Sequence, residues 1–382
     1  MKIGLIVPGF SAHEQDWCIP ALLNLARVLA TRHDVHILTL RYPHERRTYN
    51  IYGASVYALG GGTRSGVFRL PLMARALRIL REAHQRAPFD VLHGLWADEP
   101  GWIATRAGSV LGVPAVVSLM GGELVQLDEV AYGHQQSMAA RYMIQRSLEN
   151  AQAVTVGSEE YYNHVRETVG QDKLPPESLW VTPLGVDTAL FSPEAPSRPG
   201  LLRGDYKLLH VASLVPVKNQ AMLLAAFAQV QARIPGAVLH IIGEGVLRAE
   251  LEQQVQALHI AEAVVFHGAV AHDALPDYYR AADVCVLTSY YESQSMVALE
   301  AAACGRATLG TPVGILPELL PEAWLTRDPA GLAENLIALH EEPELRDMLA
   351  EVMTQHVLDS LTLEQSTATF EALYRHLISP GP

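Results

Sequence analysis

The chain has 382 residues, of which 49% are hydrophobic and 18% charged, so it can bury large cores in about two domains. Its net charge of −13 argues against nucleic acid as a partner, because attraction to phosphates needs a positive field. Its 3 cysteines are widely spaced in apolar contexts, which favours a reducing cytoplasm over a disulfide framework. The apolar N-terminal run is too short for a signal peptide, and no stretch reaches the roughly 18 apolar residues of a membrane span. Any membrane contact is therefore expected to be peripheral.

Along the first half, short apolar runs alternate with longer segments of helical periodicity, which is the pattern of βαβ units with a parallel sheet. The predicted strands are Ile3–Val7, Val35–Leu40, Val91–His93, Ala115–Leu119 and Ala153–Val156. The predicted helices are Pro20–Thr31, Val67–Arg86 and Gly101–Leu111. In the loop before the first helix, Gly9 would let the backbone approach a ligand closely. His13, Glu14 and Asp16 in the same loop would either act on an acceptor or form a polar turn in which Asp16 caps the helix.

The second of these helices has a basic amphipathic pattern, with Arg69, Arg75, Arg78 and Arg81 placed among leucines. One interpretation is a solvated surface helix, which needs no partner. The other is contact with anionic lipid, which would place the protein on the inner face of a membrane.

The same alternation recurs in the second half, so a second parallel-sheet domain is predicted. Its strands are Lys207–Ala212, Val238–Ile242, Val264–His267, Val284–Leu287 and Ala307–Gly310. Its helices are Asn219–Ile234, Leu247–Leu258, Asp273–Ala282 and Met296–Cys304. The proline-rich stretch 183–204 is the linker candidate, which gives domains of residues 1–185 and 186–362. The closing segment 363–378 has helical periodicity and is expected to return to the first domain.

Two glutamates mark the last of these helices. Glu292 stands in the loop before the helix N-terminus, where free backbone N–H groups and the positive end of the helix dipole attract phosphates. Glu300 follows 8 residues later inside an apolar helix, where a carboxylate is costly unless it has partners. The partners are either ribose hydroxyls or groups of the protein itself, namely a backbone cap or an arginine such as Arg306.

Two further features belong to loops that follow strands of the second half. Lys218 stands between the first strand and its helix, where a lysine can pair with phosphate oxygens. Taken alone, it is more simply a solvated loop lysine. The turn with Gly243 and Gly245 joins the next strand to its helix, and by itself it is a weak signal for ligand binding.

Five phrases occur in order between residues 181 and 317: Val181-Thr-Pro-Leu-Gly-Val-Asp187, Ile241-Ile-Gly-Glu-Gly245, Val265-Phe-His-Gly268, Leu275–Ala282 and Ala301-Ala-Ala-Cys-Gly305. Glu292 and Glu300 lie among them as a Glu-x7-Glu pair. Together these phrases resemble the family-4 retaining glycosyltransferases. The resemblance implies the GT-B fold, an α/β architecture of two Rossmann-like parallel-sheet domains that face each other across a cleft.

The resemblance also implies roles for individual residues of a nucleotide-sugar donor site. Lys218 would contact the donor diphosphate and Glu292 the transferred sugar and its phosphate, both as catalytic residues. Glu300 would hold the ribose hydroxyls, and His267 would lie near the base. The other donor contacts implied are Gly9, Ser213, Gly243, Ser293, Gln294, Ser295, Met296 and Val297.

The first half resembles the family more loosely and would supply the acceptor side. Asp90–Trp96 resembles a family phrase, which makes His93 a candidate catalytic residue and Trp96 a candidate cleft residue, although a histidine at a strand end is more often structural. A second phrase implies acceptor or cleft positions at Met120, Gly121, Gly122 and Glu123. In the family a histidine usually stands where this chain has Met120.

An arginine is usual in the family at the position of Ser213, so one cation is missing from the leaving phosphates. The two departures, at Met120 and Ser213, leave three accounts open. The donor site is rebuilt with another cation, the enzyme is a divergent lineage with its own chemistry, or the protein binds a ligand without turnover.

The leading hypothesis is a retaining glycosyltransferase that moves a sugar from a nucleotide-diphosphate donor to a hydroxyl acceptor, which is a glycan, a lipid or a small molecule. Helix dipoles and cations generally stabilise the leaving diphosphate in this fold, so the resemblance implies neither a metal nor a cofactor. Asp98-Glu99 is accordingly interpreted as a simple pair of loop acids. The alternatives are a nucleotide-sugar epimerase or hydrolase and a noncatalytic sugar-nucleotide-binding protein.

Overall fold

The computed structural model describes residues 1–63, 69–170, 172–194, 198 and 200–379. The chain divides into two compact units. The first comprises Met1–Gly185 together with the segment that begins at Leu363, and the second comprises Val186–Thr362. Each unit has its own sheet and its own buried core.

The first unit alternates strands and helices. Its strands are β1 (Lys2–Gly9), β2 (Asp34–Tyr42), β3 (Arg47–Ile51), β4 (Ala54–Ala58), β5 (Val91–Leu95), β6 (Ala115–Ser118), β7 (Ala153–Val156) and β8 (Leu179–Val181). Its α-helices are α1 (Pro20–Ala30), α2 (Leu70–Arg86), α3 (Glu99–Leu111), α4 (Met138–Asn150), α5 (Glu159–Val169) and, at the end of the chain, α13 (Leu363–Ile378). The predicted start of the second helix at Val67 lies outside the described residues.

These strands form one sheet in the order β3-β4-β2-β1-β5-β6-β7-β8. Neighbouring strands are parallel except β3 and β4, which form an antiparallel hairpin at one edge. Strand β1 is buried on both faces, as the apolar run Ile3–Val7 requires of a central parallel strand. Helix α13 packs against α1 and therefore belongs to this unit.

The second unit repeats the alternation. Its strands are β9 (Tyr206–Val211), β10 (Ala237–Ile242), β11 (Val264–Gly268), β12 (Val284–Leu287) and β13 (Thr308–Gly310). Its α-helices are α6 (Gln220–Arg233), α7 (Arg248–Ala257), α8 (Leu275–Ala281), α9 (Met296–Ala303), α10 (Leu316–Leu319), α11 (Pro329–Glu341) and α12 (Pro343–Ser360).

The second sheet is parallel throughout, in the order β11-β10-β9-β12-β13. The chain runs from β9 outward to β10 and β11 on one side, and then returns to place β12 and β13 on the other side. The strand order therefore reverses between β9 and β12. In open α/β sheets ligands bind outside the carboxyl ends of the strands at such a point. The loops 212–219 and 288–295 lie there.

The expected α/β architecture with two parallel-sheet domains is confirmed, and every strand predicted from the sequence is present. The sequence patterns missed the β3–β4 hairpin, the edge strand β8 and several helices, including α4, α5, α11 and α12. Strand β3 was missed because it is polar and largely exposed, so it has no apolar run.

Candidate functional site

An ion pair lies at the point where the strand order of the second sheet reverses. Lys218 Nζ is 2.6 Å from Glu292 Oε1, and Ser289 Oγ donates to the same oxygen at 2.6 Å. The two charged side chains are 25% and 14% exposed. The N–H of Tyr290 donates to the carbonyl of Val217 at 2.8 Å and so joins the loops that carry the pair. The structure thus brings together the two residues predicted to act on the donor phosphates and sugar.

Helix α9 begins at Met296, immediately after a left-handed residue, Ser295, with φ 75°. A positive φ is uncommon outside glycine and often accompanies a functional constraint. Ser295 is 9% exposed, and its Oγ has no hydrogen-bond partner among the described residues. The first N–H groups of a helix also lack intrahelical acceptors, and the dipole favours negative charge there. This end of α9 can therefore bind an anion beside Lys218.

A third loop, which follows β13, fixes the position of the Glu292 loop. The N–H of Ile315 donates to the carbonyl of Gln294 at 2.7 Å. Gly314 has φ 61°, and a Cβ there would lie 2.6 Å from Gln294 O and 3.0 Å from the Cβ of Glu292. Only glycine permits both the backbone angle and this approach. Sequence reasoning missed Gly314, because nothing near it in the chain marks the contact.

Glu300 is only 6% exposed, and both of its oxygens have partners within the protein. His272 Nε2 lies 2.9 Å from Oε1, and the hydroxyl of Tyr279 donates to Oε2 at 2.9 Å. Burial raises the pKa of Tyr279 well above its usual value, so its hydroxyl remains a donor. Arg306 donates instead to a main-chain carbonyl, so the arginine partner suggested by the sequence is wrong. Sequence patterns did not mark His272, and they included Tyr279 only as a member of Leu275–Ala282, without a role of its own.

The turn after β10 packs tightly against the loop after β9. Gly243 has φ 132°, and a Cβ there would overlap the carbonyl of Ala212. Leu214 N–H donates to the carbonyl of Glu244 at 2.9 Å in the same contact. Gly243 is therefore required for packing between main chains. Ser213 is exposed and supplies no positive charge at the place where the family usually has an arginine.

His267 is the unpaired residue of a bulge between β10 and β11, a feature that re-aims a side chain. Its Nε2 lies 2.9 Å from Nδ1 of buried His240, whose Nε2 lies 3.0 Å from the carbonyl of Arg203. Burial lowers the pKa of His240 to about 4 and also lowers the pKa of His267. The carbonyl of Arg203 can only accept a hydrogen bond, so neutral His240 carries its proton on Nε2. The Nδ1 of His240 is therefore an acceptor, and it receives the hydrogen bond that neutral His267 donates from Nε2. The Nδ1 of His267 is then an acceptor.

In the first unit the structure corrects the catalytic assignment of His93. The ring is 0% exposed, with Nδ1 2.7 Å from the Tyr374 hydroxyl and Nε2 2.7 Å from Ser118 Oγ. Burial lowers the pKa of His93 to about 3, so it stays neutral. Because both nitrogens are used inside the unit, His93 fastens α13 to β5 and cannot reach a substrate.

The loops after β5 and β6 meet at a second buried carboxylate. Glu123 is 0% exposed and accepts hydrogen bonds from the N–H groups of Met120 at 2.9 Å and Gly121 at 2.7 Å. Glu123 therefore stabilises these loops. Because it is fully buried, the prediction that it contacts an acceptor directly is wrong. Gly122 is buried against the Tyr132 ring. Met120, Gly121 and Trp96, which has φ 81°, remain partly exposed at this edge.

Asp98 and Glu99 are not a simple pair of loop acids. Glu99 is buried, and its oxygens lie 2.7 and 2.8 Å from Arg41 Nη2 and 3.4 Å from Arg69 Nη1. Asp98 Oδ2 lies 3.5 Å from His134 Nδ1, and burial raises the pKa of Asp98. The cluster joins α2 and α3 to the carboxyl end of β2. Arg69 thus belongs to an internal ion pair as well as to the basic helix.

Other features predicted in the first unit have local roles. Asp16 accepts from the N–H of Ala12 and the hydroxyl of Tyr42, whereas the cap residue of α1 is Ile19, so the predicted cap is wrong. A Cβ at Gly9 would make only ordinary contacts of 3.4 Å. Helix α2 buries Leu72, Met73, Ala76, Leu80 and Ala83, as an amphipathic helix does. Among the described residues no helix is both long and apolar enough to cross a bilayer.

Comparison with known proteins agrees with this geometry. The model "Glycosyltransferase Family 4" matches residues 21–190, and "Glycosyl transferases group 1" matches residues 192–355. The D-inositol 3-phosphate glycosyltransferase of Thermomonospora curvata is 30% identical over 301 residues, which cover 72% of this chain and 68% of that protein. The N-acetyl-alpha-D-glucosaminyl L-malate synthase of Bacillus anthracis is 26% identical over 366 residues, 92% of this chain and 91% of that protein.

Solved structures show the same fold at lower identity. Sucrose-phosphate synthase from Thermosynechococcus elongatus has a TM-score of 0.78 at 22% identity, covering 99% of each chain. HepE of Anabaena, solved with UDP and glucose, has a TM-score of 0.74 at 18% identity, covering 98% of this chain and 100% of its own. With both family models matched in turn and a relative at 30% identity, the chain belongs to the family-4 glycosyltransferases of the GT-B fold.

Proposed function

We propose that this glycosyltransferase uses a nucleoside-diphosphate sugar, retains the anomeric configuration and needs no metal ion. The observation that carries the proposal is the Lys218–Glu292 pair beside the N-terminus of α9, at the reversal point of the second sheet. A cation, open main-chain N–H groups and a helix dipole together suit a diphosphate.

Lys218 would stabilise the leaving diphosphate. Its ammonium has three N–H donors, and the contact with Glu292 needs one of them, so others remain for phosphate oxygens. The N-terminus of α9 would add main-chain donors at Ser295, Met296 and Val297. These groups would take the place of the arginine that the family usually has at Ser213, which is the first of the three accounts that the sequence left open.

Glu292 would orient the transferred sugar. Its Oε1 is held by Lys218 and Ser289, which leaves Oε2 to accept a hydrogen bond from a sugar hydroxyl. The positive charge that develops on the sugar in the transition state would be stabilised by the departing diphosphate and the nearby dipoles. The acceptor hydroxyl would then attack from the face that the diphosphate leaves, which retains the configuration.

The names of similar proteins suggest the donor and the acceptor. HepE was solved with UDP and glucose, so UDP is the first nucleotide we propose. Two relatives are named for D-inositol 3-phosphate and L-malate, both small hydroxylated anions. We therefore favour a small hydroxylated molecule over a glycan or a lipid as the acceptor. We also place the reaction in the cytoplasm, because the thiols of Cys18, Cys285 and Cys304 are free.

The donor assignment is tested with a panel of UDP-, GDP- and ADP-sugars. A ligand that binds only the folded protein raises its melting temperature, and the rise grows as the ligand concentration exceeds the dissociation constant. At least one member should raise it, and a panel without any shift would refute the donor site.

The reaction is tested with a labelled donor. Label should reach inositol phosphate or malate, with the anomeric configuration of the donor, and EDTA should not slow the transfer. An altered free sugar nucleotide that forms without any acceptor would instead identify an epimerase, and free sugar a hydrolase. Binding without turnover on any acceptor would identify a noncatalytic binding protein.

A further inference from the structure

We propose that Tyr279 and His272 are positioning residues that aim the Glu300 carboxylate, so that it selects ribose over deoxyribose in the donor nucleotide. The inference rests on the proposed function, in which Glu300 belongs to the donor site. Neither residue touches the reacting atoms. Both act through Glu300 and so determine specificity.

The geometry assigns one protein donor to each carboxylate oxygen. His272 Nε2 serves Oε1 and the Tyr279 hydroxyl serves Oε2, each at 2.9 Å. An ionised carboxylate has about four lone-pair positions on its two oxygens. One position on each oxygen is filled, so each oxygen keeps capacity to accept from one further hydroxyl. Two adjacent acceptors of this kind match the two neighbouring hydroxyls of a ribose.

The two positioning side chains are themselves fixed by packing. Tyr279 is 0% exposed and His272 is 8% exposed. The ring of Phe191 packs on both, with centroid distances of 5.1 Å to His272 and 6.0 Å to Tyr279. Donors held by packing cannot follow a carboxylate that turns, so they restrict Glu300 to one orientation.

The orientation matters because little of Glu300 is accessible. Its side chain is 8% exposed, so a ligand can reach the carboxylate only from a narrow range of directions. If one internal donor is removed, the carboxylate can rotate toward water or toward the remaining donor. The hydroxyl-accepting direction is then lost, and a nucleotide that lacks one hydroxyl is penalised less than before.

The test compares ribo- and deoxyribonucleotides on the full-length protein. Dissociation constants are measured by calorimetry for UDP, GDP and ADP and for their 2′-deoxy and 3′-deoxy forms. Wild-type protein should bind the preferred ribonucleotide about tenfold or more tightly than either deoxy form, since a hydrogen bond to a carboxylate is lost. Tyr279→Phe and His272→Leu should each reduce at least one of these ratios to about threefold or less.

Matched variants separate positioning from general damage. Tyr278→Phe removes a hydroxyl from the neighbouring residue of α8, whose ring packs on His267, and should leave both ratios unchanged. His272→Gln keeps an N–H donor and should restore most of the selectivity that His272→Leu loses. If Tyr279→Phe does not fold, as judged by its circular dichroism melt, the two His272 variants decide the question.

The outcomes distinguish this inference from the proposed function. Tight, ribose-selective binding by wild type with unchanged ratios in the Tyr279 and His272 variants would overturn the positioning role and leave the donor site intact. If wild type binds the ribonucleotide and both deoxy forms with equal dissociation constants, Glu300 does not contact the ribose and the inference is overturned. Failure of wild type to bind any of the three ribonucleotides would refute the donor site itself, and the inference with it.

Discussion

Replacing Lys218 by methionine removes the ammonium group from the candidate donor site and keeps a side chain of similar length. In the structure this group lies 2.6 Å from Glu292, whose side chain is 14% exposed. After the substitution the Ser289 hydroxyl remains as a partner of Glu292 Oε1. The variant therefore changes both the stability of the second unit and its affinity for a diphosphate.

The cost in stability follows from the burial of the pair. A mostly buried carboxylate that loses a charged partner costs about 1–3 kcal/mol, less than a fully buried one because solvent still reaches this pair. For a unit of this size that is a fall in melting temperature of about 2–12 °C. The protein should remain folded, so binding can be measured.

Lys218→Met should weaken UDP binding more than the removal of an exposed surface charge would. A charge-assisted hydrogen bond to phosphate contributes about 1.5–3 kcal/mol, so the dissociation constant for UDP should rise about 10- to 150-fold. Calorimetry with UDP measures this directly. The affinity of the variant should also depend less on salt, because one cation no longer faces the phosphates.

Lys207 provides the matched control. Its Nζ lies 3.6 Å from Asp283, and the two side chains are 28% and 23% exposed, so it forms a similar pair in the same unit. It stands at the start of β9, at the opposite end of the strand from Lys218. Lys207→Met should leave UDP affinity unchanged. Equal affinity of Lys218→Met and wild type, or an equal loss in both variants, would refute the assignment of Lys218 to the diphosphate.

Other predictions address the loops and the buried histidines. Gly314→Ala should displace the Glu292 loop and lower the affinity for UDP. It should also lower the free energy of unfolding, measured in urea, by about 1 kcal/mol or more. Unchanged UDP binding would contradict the role of Gly314. His93→Leu should cost about 2–4 kcal/mol yet leave UDP affinity unchanged, whereas loss of binding without loss of stability would restore a functional role for His93. The pKa values of His93 and His240 are lowered by burial to about 3 and about 4, below the unfolded value near 6.5, so the unfolded state binds more protons between these values. Their contribution is therefore fully present above pH 6.5 and is lost as pH falls toward 4, and equal urea midpoints at pH 7.5 and pH 5 would contradict it.

Local sequence patterns were enough to predict the central parallel strands and the residues that follow them. Central parallel strands such as Ile3–Val7 are apolar on both faces, so they can be predicted from a few residues. Lys218 and Glu292 were found because each follows a strand of one parallel sheet, and such strand ends meet at one edge. Their contact at 2.6 Å is the geometric consequence.

The role of His93 could not be found in the same way. Its phrase resembles a functional one, but its two partners decide its chemistry, and Tyr374 lies 281 residues away on the last helix. Whether a strand-end histidine faces a ligand or the core depends on which helix covers it. The same holds for Glu123, whose carboxylate looks like a substrate contact in the sequence and serves the neighbouring N–H groups in the structure.

Glu300 shows why the two interpretations of a buried carboxylate need not exclude each other. The sequence required a partner for it and offered either a ribose or a group of the protein. The structure supplies protein donors from His272 and Tyr279, which make the carboxylate tolerable when no ligand is bound. Each oxygen still has capacity for a further donor, so a ribose would add hydrogen bonds instead of replacing existing ones. Because Glu292 is likewise held on one oxygen before any ligand arrives, both glutamates are preorganised, and donor affinity should depend on the residues that hold them as much as on the carboxylates themselves.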